Sequence, residues 1–378
     1  MNGTSKLSAN VITIGPPDIF SVGSYLKFYS KLKEYEEINT SILVFSFFTP
    51  IEEYTALAPM VASIHQAPLI LYGTLTDPSL LQERDFVMLS KLTRKYRPEY
   101  LIGVVNPYAV TPEWVMRVHR ICKKSSPDDF LDTAFGLITG LTVEDASLLI
   151  ARSLSLSCKS ETVVYGFPIL SKVLSDYGLK VYETTAKRSG EPCKSEAYEF
   201  FKVVNKFNGG IVYTVLHSNN DRMRFPDFSY MSPNPDVVAL NRQKNICFPK
   251  EISPSIFFHS GCYSARICGG LGAPQYSLAL NFIRAGVLAY VGTLTPDFLS
   301  LTPQILLHEL IIDGEPIGRV LCNEINRTLS VRKDSEDNFS PSPLLIGDPT
   351  LRFRENIPKN EGFKYETIVK NTKYVLVC

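Results

Sequence analysis

Short apolar runs alternate with longer amphipathic stretches along most of the 378-residue chain. The apolar runs span about four to eight residues and are bounded by Gly, Pro or polar positions, a pattern typical of buried strands. They cover residues 11–15, 42–48, 68–73, 100–105, 162–165, 180–183, 211–216, 255–260 and 287–292. Amphipathic stretches predict helices at 22–35, 80–96, 169–177, 196–207 and 277–285. This alternation predicts an α/β fold with a mainly parallel sheet that helices cover on both faces.

Three kinds of segment interrupt the alternation. Thr142 and Asp145 have the spacing of a helix-capping pair, so a helix is expected to begin there. Residues 219–250 show no clear period and are rich in Pro, Asn and Arg, which predicts a long excursion at the mouth of the sheet. The polar stretches 186–195 and 326–343 predict surface loops, of which the second is expected to be mobile. Both loops are candidate self-processing sites.

The composition narrows the class of protein. With 39 Lys and Arg against 38 Asp and Glu, the formal net charge is +1, so the basic excess of nucleic-acid binders is missing. Apolar residues make up 45% and charged residues 20%, which is close to the globular average and argues against disorder. No run reaches the roughly 18 apolar residues of a membrane-spanning helix. No secretory leader is recognisable either, so a cytoplasmic protein without nucleic-acid or membrane partners is expected.

The eight cysteines are scattered and include no CxxC pair, which argues against a disulfide scaffold and a zinc ribbon. His259, Cys262 and Cys268 are of the residue types that bind zinc, but the sequence indicates no fourth ligand. We therefore expect neither a metal nor a cofactor, and a structural calcium ion has no support in the sequence.

Two predicted strands end next to residues that can carry covalent chemistry. His217 follows the strand at 211–216, and Gly261 and Cys262 follow the strand at 255–260. Because the carboxyl ends of parallel strands form the crevice where sites develop, the imidazole and the thiol are expected to face each other. An adjacent imidazole activates a thiolate nucleophile, and the N–H groups of Ser218 and Cys262 would stabilise the oxyanion. The alternative is that Cys262 is a small buried residue and His217 a structural one, as these residue types often are.

Five segments in the same order as in a known family extend this interpretation. They are DDFLDTAFG at 128–136 with the helix start at Thr142, FNGGIVYTVLH ending at His217, SPSIFFHSGC ending at Cys262, SLALNFIRAGVLAYVGT at 277–293, and LLIGDPTLRF at 344–353. Together they resemble the gingipain family of cysteine peptidases, in the caspase-like clan. The resemblance covers about residues 125–353 and implies a caspase/gingipain-like α/β/α sandwich with two α/β halves. It also implies hydrolysis of peptide bonds in a protein or peptide substrate, with Cys262 as nucleophile and His217 as its acid–base partner.

The sequence departs from the family pattern at two points. Ser218 stands where the family usually has Gly. In arginine-specific members, acidic residues in the turn after the first strand of the catalytic half orient the histidine and bind the basic side chain of the substrate. The turn after residues 162–165 lacks such acidic residues. Asp221 and Asp227 are candidate replacements for binding a basic substrate side chain. These departures keep two other functions open: a catalytically degenerate gingipain-fold binding or scaffold module, and a defence-type caspase-like (CHAT) peptidase.

The same reasoning divides the chain into three parts. Residues 1–124 are expected to form an N-terminal α/β subdomain, because they match the family only in general α/β character. Residues 125–353 are expected to form the catalytic subdomain, and residues 354–378 a C-terminal tail.

Overall fold

The computed structural model describes most of the chain. The described residues are 11–13, 39–48, 53–75, 83–123, 130–155, 161–165, 175, 180–184, 195–206, 210–241, 245–252, 254–268, 273–296, 303–331, 343–353, 366–370 and 373–377. The helix predicted at 22–35, most of the helix predicted at 169–177, and the loop predicted at 186–195 except Ser195 lie outside these residues.

Eleven strands of the described residues form one central sheet, in the order β1-β3-β2-β4-β5-β15-β14-β13-β8-β6-β7. The strands, numbered along the chain, are β1 (Val11–Thr13), β2 (Ile42–Phe48), β3 (Leu69–Leu75), β4 (Tyr100–Val104), β5 (Ala134–Ile138), β6 (Glu161–Tyr165), β7 (Lys180–Thr184), β8 (Gly210–Val215), β9 (His217–Asn219), β10 (Arg222–Arg224), β11 (Tyr230–Ser232), β12 (Ile246–Cys247), β13 (Ser255–Ser260), β14 (Ala289–Thr293), β15 (Pro343–Ile346), β16 (Glu366–Lys370) and β17 (Lys373–Val377). The last two form a separate antiparallel pair.

The direction of the strands changes once across the central sheet. Strand β15 is antiparallel to β14, whereas the other neighbouring strands are parallel to each other. Since β15 also pairs in parallel with β5 through Ile346 and Leu137, the group from β1 to β5 runs opposite to the group that contains β8, β13 and β14. The carboxyl ends of β8, β13 and β14 therefore share one edge of the sheet.

Helices lie between many of the strands in the described part of the chain. They are α1 (Ala58–His65), α2 (Glu83–Tyr96), α3 (Pro112–Lys123), α4 (Val143–Ser155), α5 (Glu196–Lys206), α6 (Pro235–Ala239), α7 (Leu278–Ala285), α8 (Pro303–Ile311) and α9 (Ile317–Val331). Every residue of β4, β5, β13 and β14 is buried, which explains why these strands appear in the sequence as continuous apolar runs without alternation. The prediction of an α/β fold with a mainly parallel sheet is confirmed.

Residues 219–250 are more regular than we predicted from the sequence. They contribute most of a small four-stranded sheet, in the order β12-β11-β10-β9, and the short helix α6. The strands are only two or three residues long, so the alternation of buried Met223 with half-buried Arg222 and Arg224 is too brief to produce a recognisable period.

The helix start predicted at Thr142 and the loop predicted at 326–343 had different outcomes. Helix α4 begins as expected: the Asp145 carboxylate accepts the Thr142 N–H, and the Thr142 hydroxyl accepts the Asp145 N–H. The loop predicted at 326–343 is wrong at its start, because α9 continues to Val331. The Asn326 side chain bonds both the N–H and the carbonyl of Leu131, just before β5, and so ties the end of the helix to the sheet. Residues 332–342 lie outside the described residues.

None of the helices in the described ranges combines the length and the apolar character needed to cross a membrane. A single apolar cluster joins side chains from both groups of strands. The division into 1–124, 125–353 and 354–378 stays a prediction.

Candidate active site

Cys262 lies in a tight turn directly after β13. The Ser264 N–H donates to the Gly261 carbonyl across 3.3 Å, and the Thr293 hydroxyl donates to the same carbonyl. The Tyr263 N–H reaches the Thr295 carbonyl at 3.2 Å. The turn is thus held on both sides of the half-buried Cys262 by residues at the end of β14. Sequence reasoning did not find Thr293 and Ser264, because their role depends on β14 lying beside β13.

His217 begins β9, and only Leu216 separates it from the end of β8. Strands β8 and β13 pair in parallel from Gly210 with Ser255 to Val215 with Ser260. The pairing continues past the strand ends, since the Leu216 N–H donates to the Ser260 carbonyl at 3.2 Å. His217 is exposed at this edge of the sheet.

Two contacts bring the histidine segment against the cysteine turn. The Ser218 hydroxyl donates a hydrogen bond of 2.7 Å to the Cys262 carbonyl. The backbone of Gly261 passes so close to this segment that a β-carbon there would overlap the Leu216 carbonyl and the Ser218 hydroxyl. The structure therefore brings together the segments that carry His217, Ser218 and Cys262, which are distant in sequence. Ser218, the departure from the family pattern, supplies the side-chain bond between them.

The unusual backbone position of the turn is Tyr263. Its φ of 56° lies in the left-handed region, which a bulky side chain rarely adopts. Gly261, which we expected to turn the chain, is absent from the glycines with positive φ; the close approach of Leu216 is what requires a glycine there. Backbone strain of this kind is concentrated at functional sites, where the surrounding structure enforces it.

The N–H of Ser218 points away from the neighbouring strand. Strand β9 pairs with β10 through Asn219 with Arg222, Ser218 with Met223, and His217 with Arg224. The Asn219–Arg222 pair closes a two-residue hairpin and is hydrogen-bonded, so the next pair is of the non-hydrogen-bonded type. The Ser218 N–H is therefore not used by β10.

The fold can be compared with that of known proteins. The structure is similar to that of the arginine-specific cysteine proteinase gingipain R (RgpB), with a TM-score of 0.59 and 12% identity over 86% of this chain and 82% of that one. It is also similar to a structure described as a protease (TM-score 0.57, 10% identity, 83% and 79% covered) and to the complex of the pro- and mature domains of Porphyromonas gingivalis RgpB (0.58, 11%, 84% and 81%). The chain has a gingipain-like fold. No protein-family profile and no curated protein sequence matches it.

At these identities the gingipain-like fold assigns no role to individual residues, so the predicted site residues are judged by their surroundings. The Asp221 carboxylate bonds the Arg222 guanidinium at 2.8 and 3.1 Å and the Asn234 amide at 3.1 Å. The Asp227 carboxylate accepts the first N–H of α5, from Glu196, and also the Ser229 N–H and hydroxyl. Both carboxylates thus have internal partners, and their role in substrate binding stays a prediction.

His259 lies inside the gingipain-like fold, beneath the cysteine turn. It is fully buried, its Nδ1 lies 2.7 Å from the Thr214 hydroxyl, and burial lowers its pKa to about 3. Its ring also faces the Gly261 backbone. In the part of the chain that the structure describes, no group of His, Cys, Asp and Glu side chains is arranged to hold a metal ion. His259 therefore has the surroundings of a neutral structural histidine.

Proposed function

We propose that this protein is a cysteine peptidase in which Cys262 is the nucleophile and His217 the general base and acid. The observation that carries the proposal is the hydrogen bond from Ser218 to the Cys262 carbonyl, because it ties the exposed histidine to the cysteine turn at the carboxyl ends of β8 and β13. The gingipain-like fold, found in structures described as cysteine proteinases, supports the same reaction class.

The reaction follows from the chemistry of these two side chains. His217 takes the thiol proton, and the Cys262 sulfur attacks the carbonyl carbon of the scissile peptide bond. The tetrahedral intermediate collapses with cleavage of the C–N bond, and the His217 imidazolium gives its proton to the leaving amine. A water molecule, deprotonated by His217, then attacks the thioester and releases the carboxylic acid and the free thiol.

The oxyanion of each tetrahedral intermediate requires hydrogen-bond donors. We assign this role to the N–H groups of Ser218 and Cys262. The β9–β10 pairing supports the assignment for Ser218, because it leaves this N–H directed away from the strand. Donors of this kind, fixed before the reaction begins, contribute about 3 kcal/mol each to the stabilisation of the transition state.

A second thiol in the chain provides an internal standard for the first test. Cys247 is exposed, whereas Cys262 is half-buried, so access alone would make Cys247 the faster of the two to react. If His217 activates the Cys262 thiol as its base, iodoacetamide at pH 7 should alkylate Cys262 about ten times faster than Cys247. Peptide mapping by mass spectrometry gives both rates from one sample, and His217→Ala should remove the advantage.

Peptidase activity is the second test. Wild-type protein should cleave members of a fluorogenic peptide library, and Cys262→Ala should reduce the rate to background. Equal alkylation of Cys262 and Cys247, together with no cleavage, would refute the peptidase and favour the degenerate binding or scaffold module. The scaffold would retain the fold and the Ser218 contact without a reactive thiol.

A further inference from the structure

An arginine lies directly beside His217. In the small sheet, Arg224 of β10 pairs with His217 of β9 on one side and with Tyr230 of β11 on the other. The intervening residues Met223 and Met231 are buried on the opposite face. Side chains that are directly opposite on neighbouring strands share a face and have Cβ atoms about 5 Å apart. The three side chains therefore form a row across the accessible face, with the imidazole at one end.

An exposed aromatic ring holds the guanidinium of Arg224. Its Cζ lies 4.5 Å from the ring centroid of Phe228, a residue that is 62% exposed at the tip of the β10–β11 hairpin. The tip is anchored: Phe225 packs on Phe200 at 5.6 Å, and Asp227 caps the first turn of α5. Because the hairpin is fixed to α5, the cation–π contact positions the guanidinium in advance of any ligand.

A second arginine follows the cysteine turn. Arg266 has its Cζ 5.5 Å from the ring centroid of Tyr263, the strained residue next to Cys262. Its carbonyl is fixed by the Ser277 hydroxyl at 3.2 Å. Its Nε is buried and has no hydrogen-bond partner among the described residues. A buried N–H without an acceptor is costly, so this guanidinium is only partly satisfied by its own fold.

The charge at this surface is unbalanced. Within the described residues, no carboxylate forms an ion pair with Arg224 or Arg266, whereas the neighbouring Arg222 is paired with Asp221. Asp227, the other nearby acid, is used as a helix cap. In the described part of the chain, the segments that carry the two candidate catalytic residues therefore lie next to two arginines that no carboxylate pairs, and such guanidinium groups recognise acidic side chains.

We propose that Arg224, with Arg266 as a second contact, selects substrates that carry an aspartate or glutamate next to the scissile bond. This inference rests on the proposed peptidase function and gives it a substrate class. It is the opposite of the expectation from the sequence, in which Asp221 and Asp227 would bind a basic side chain of the substrate.

The test compares peptides that differ only in one group. Fluorescent peptides carry Asp or Asn, and in a second set Arg or Gln, immediately before or after the scissile bond. Binding to Cys262→Ala protein is measured by fluorescence anisotropy, and cleavage by wild-type protein is measured in parallel. A charge-assisted hydrogen bond predicts that Asp is preferred over Asn by about ten- to one-hundred-fold, with a preference that falls as salt is added.

Arg224→Glu should abolish or invert the preference for Asp, and Arg224→Ala should abolish it. Arg120→Glu is the matched control, because Arg120 is exposed on α3 and the same charge change there should leave the preference intact. Far-ultraviolet circular dichroism checks that each variant is folded.

The outcomes separate the two proposals. Cleavage that depends on Cys262 but shows no preference for Asp over Asn, or a preference that Arg224→Glu leaves unchanged, overturns the acidic specificity and leaves the peptidase standing. Selective binding of the Asp peptides to Cys262→Ala protein, with no cleavage by the wild type, supports the anion-binding surface and refutes the peptidase.

Discussion

The close approach of Gly261 to the histidine segment can be tested with one methyl group. An alanine β-carbon at this position would lie 2.3 Å from the Leu216 carbonyl oxygen and 3.1 Å from Cε1 of His259. Ordinary contacts begin at 3.4 Å, so the Leu216 backbone would have to move by about 1 Å. Since both neighbours are buried in the sheet, we expect a cost near the upper end of the range for overpacking, about 3 kcal/mol.

A second glycine separates this steric effect from conformational strain. Gly314 has a φ of +66°, and no atom lies within 4 Å of the position that a β-carbon would take there, so Gly314→Ala should cost only about 1 kcal/mol through backbone strain. Urea unfolding followed by circular dichroism gives both free energies. Alkylation of Cys262 should slow to the rate of Cys247 in Gly261→Ala, because the histidine segment is displaced, and should be unchanged in Gly314→Ala. A Gly261→Ala protein as stable as Gly314→Ala, with wild-type reactivity of Cys262, would refute the described packing.

Two further predictions concern the pH dependence of stability, which the emission of the buried Trp114 can report during urea unfolding. Burial lowers the pKa of His119 to about 4, so between pH 6.5 and 4 the unfolded chain binds a proton at this histidine that the folded chain does not bind. The free energy of unfolding should therefore fall by about 1.4 kcal/mol for each unit that the pH falls in this range. His119→Gln should remove this contribution to the slope. A slope that is the same in both proteins would contradict the burial of a neutral histidine. Burial alone would raise the pKa of Asp348, but the hydrogen bond and charge of His65 at 2.9 Å, with further bonds from Thr350, hold it below its usual range. The stabilisation from the Asp348 carboxylate is therefore complete above about pH 4 and is lost as the pH falls further. Asp348→Asn should lower the free energy of unfolding by about 2 kcal/mol at pH 7 and should reduce the loss of stability below pH 4. The same loss of stability below pH 4 in both proteins would show that the ion pair is not formed.

Local pattern was sufficient to predict most of the elements. The strands expected at 42–48 and 255–260 are β2 and β13 with the same bounds, and the helix expected at 196–207 is α5 to within one residue. Such elements are predictable because buried strands and amphipathic helices have their period in consecutive residues. The small sheet from β9 to β12 was missed for the same reason, since its strands are shorter than any recognisable period.

The candidate site was predicted in part, from the position of residues relative to strand ends. The sequence placed His217 and Cys262 after two strands, and the structure shows those strands as neighbours. The sequence could not show that the Ser218 hydroxyl would donate a hydrogen bond to the Cys262 carbonyl, or that Tyr263 would be the strained residue of the turn. These contacts depend on the register between segments that are far apart in the chain.

The sequence by itself determined the α/β class and the positions of the main strands, and it offered one candidate nucleophile among eight cysteines. Each of these depends on the order of neighbouring residues. Only the tertiary structure decided how the strands pair, that their direction reverses between β14 and β15, and that Asp221 and Asp227 are already bonded while Arg224 lies beside His217. The physical reason is that a one-residue change in register would move each of these side chains to the opposite face, and register is set by packing across the whole sheet.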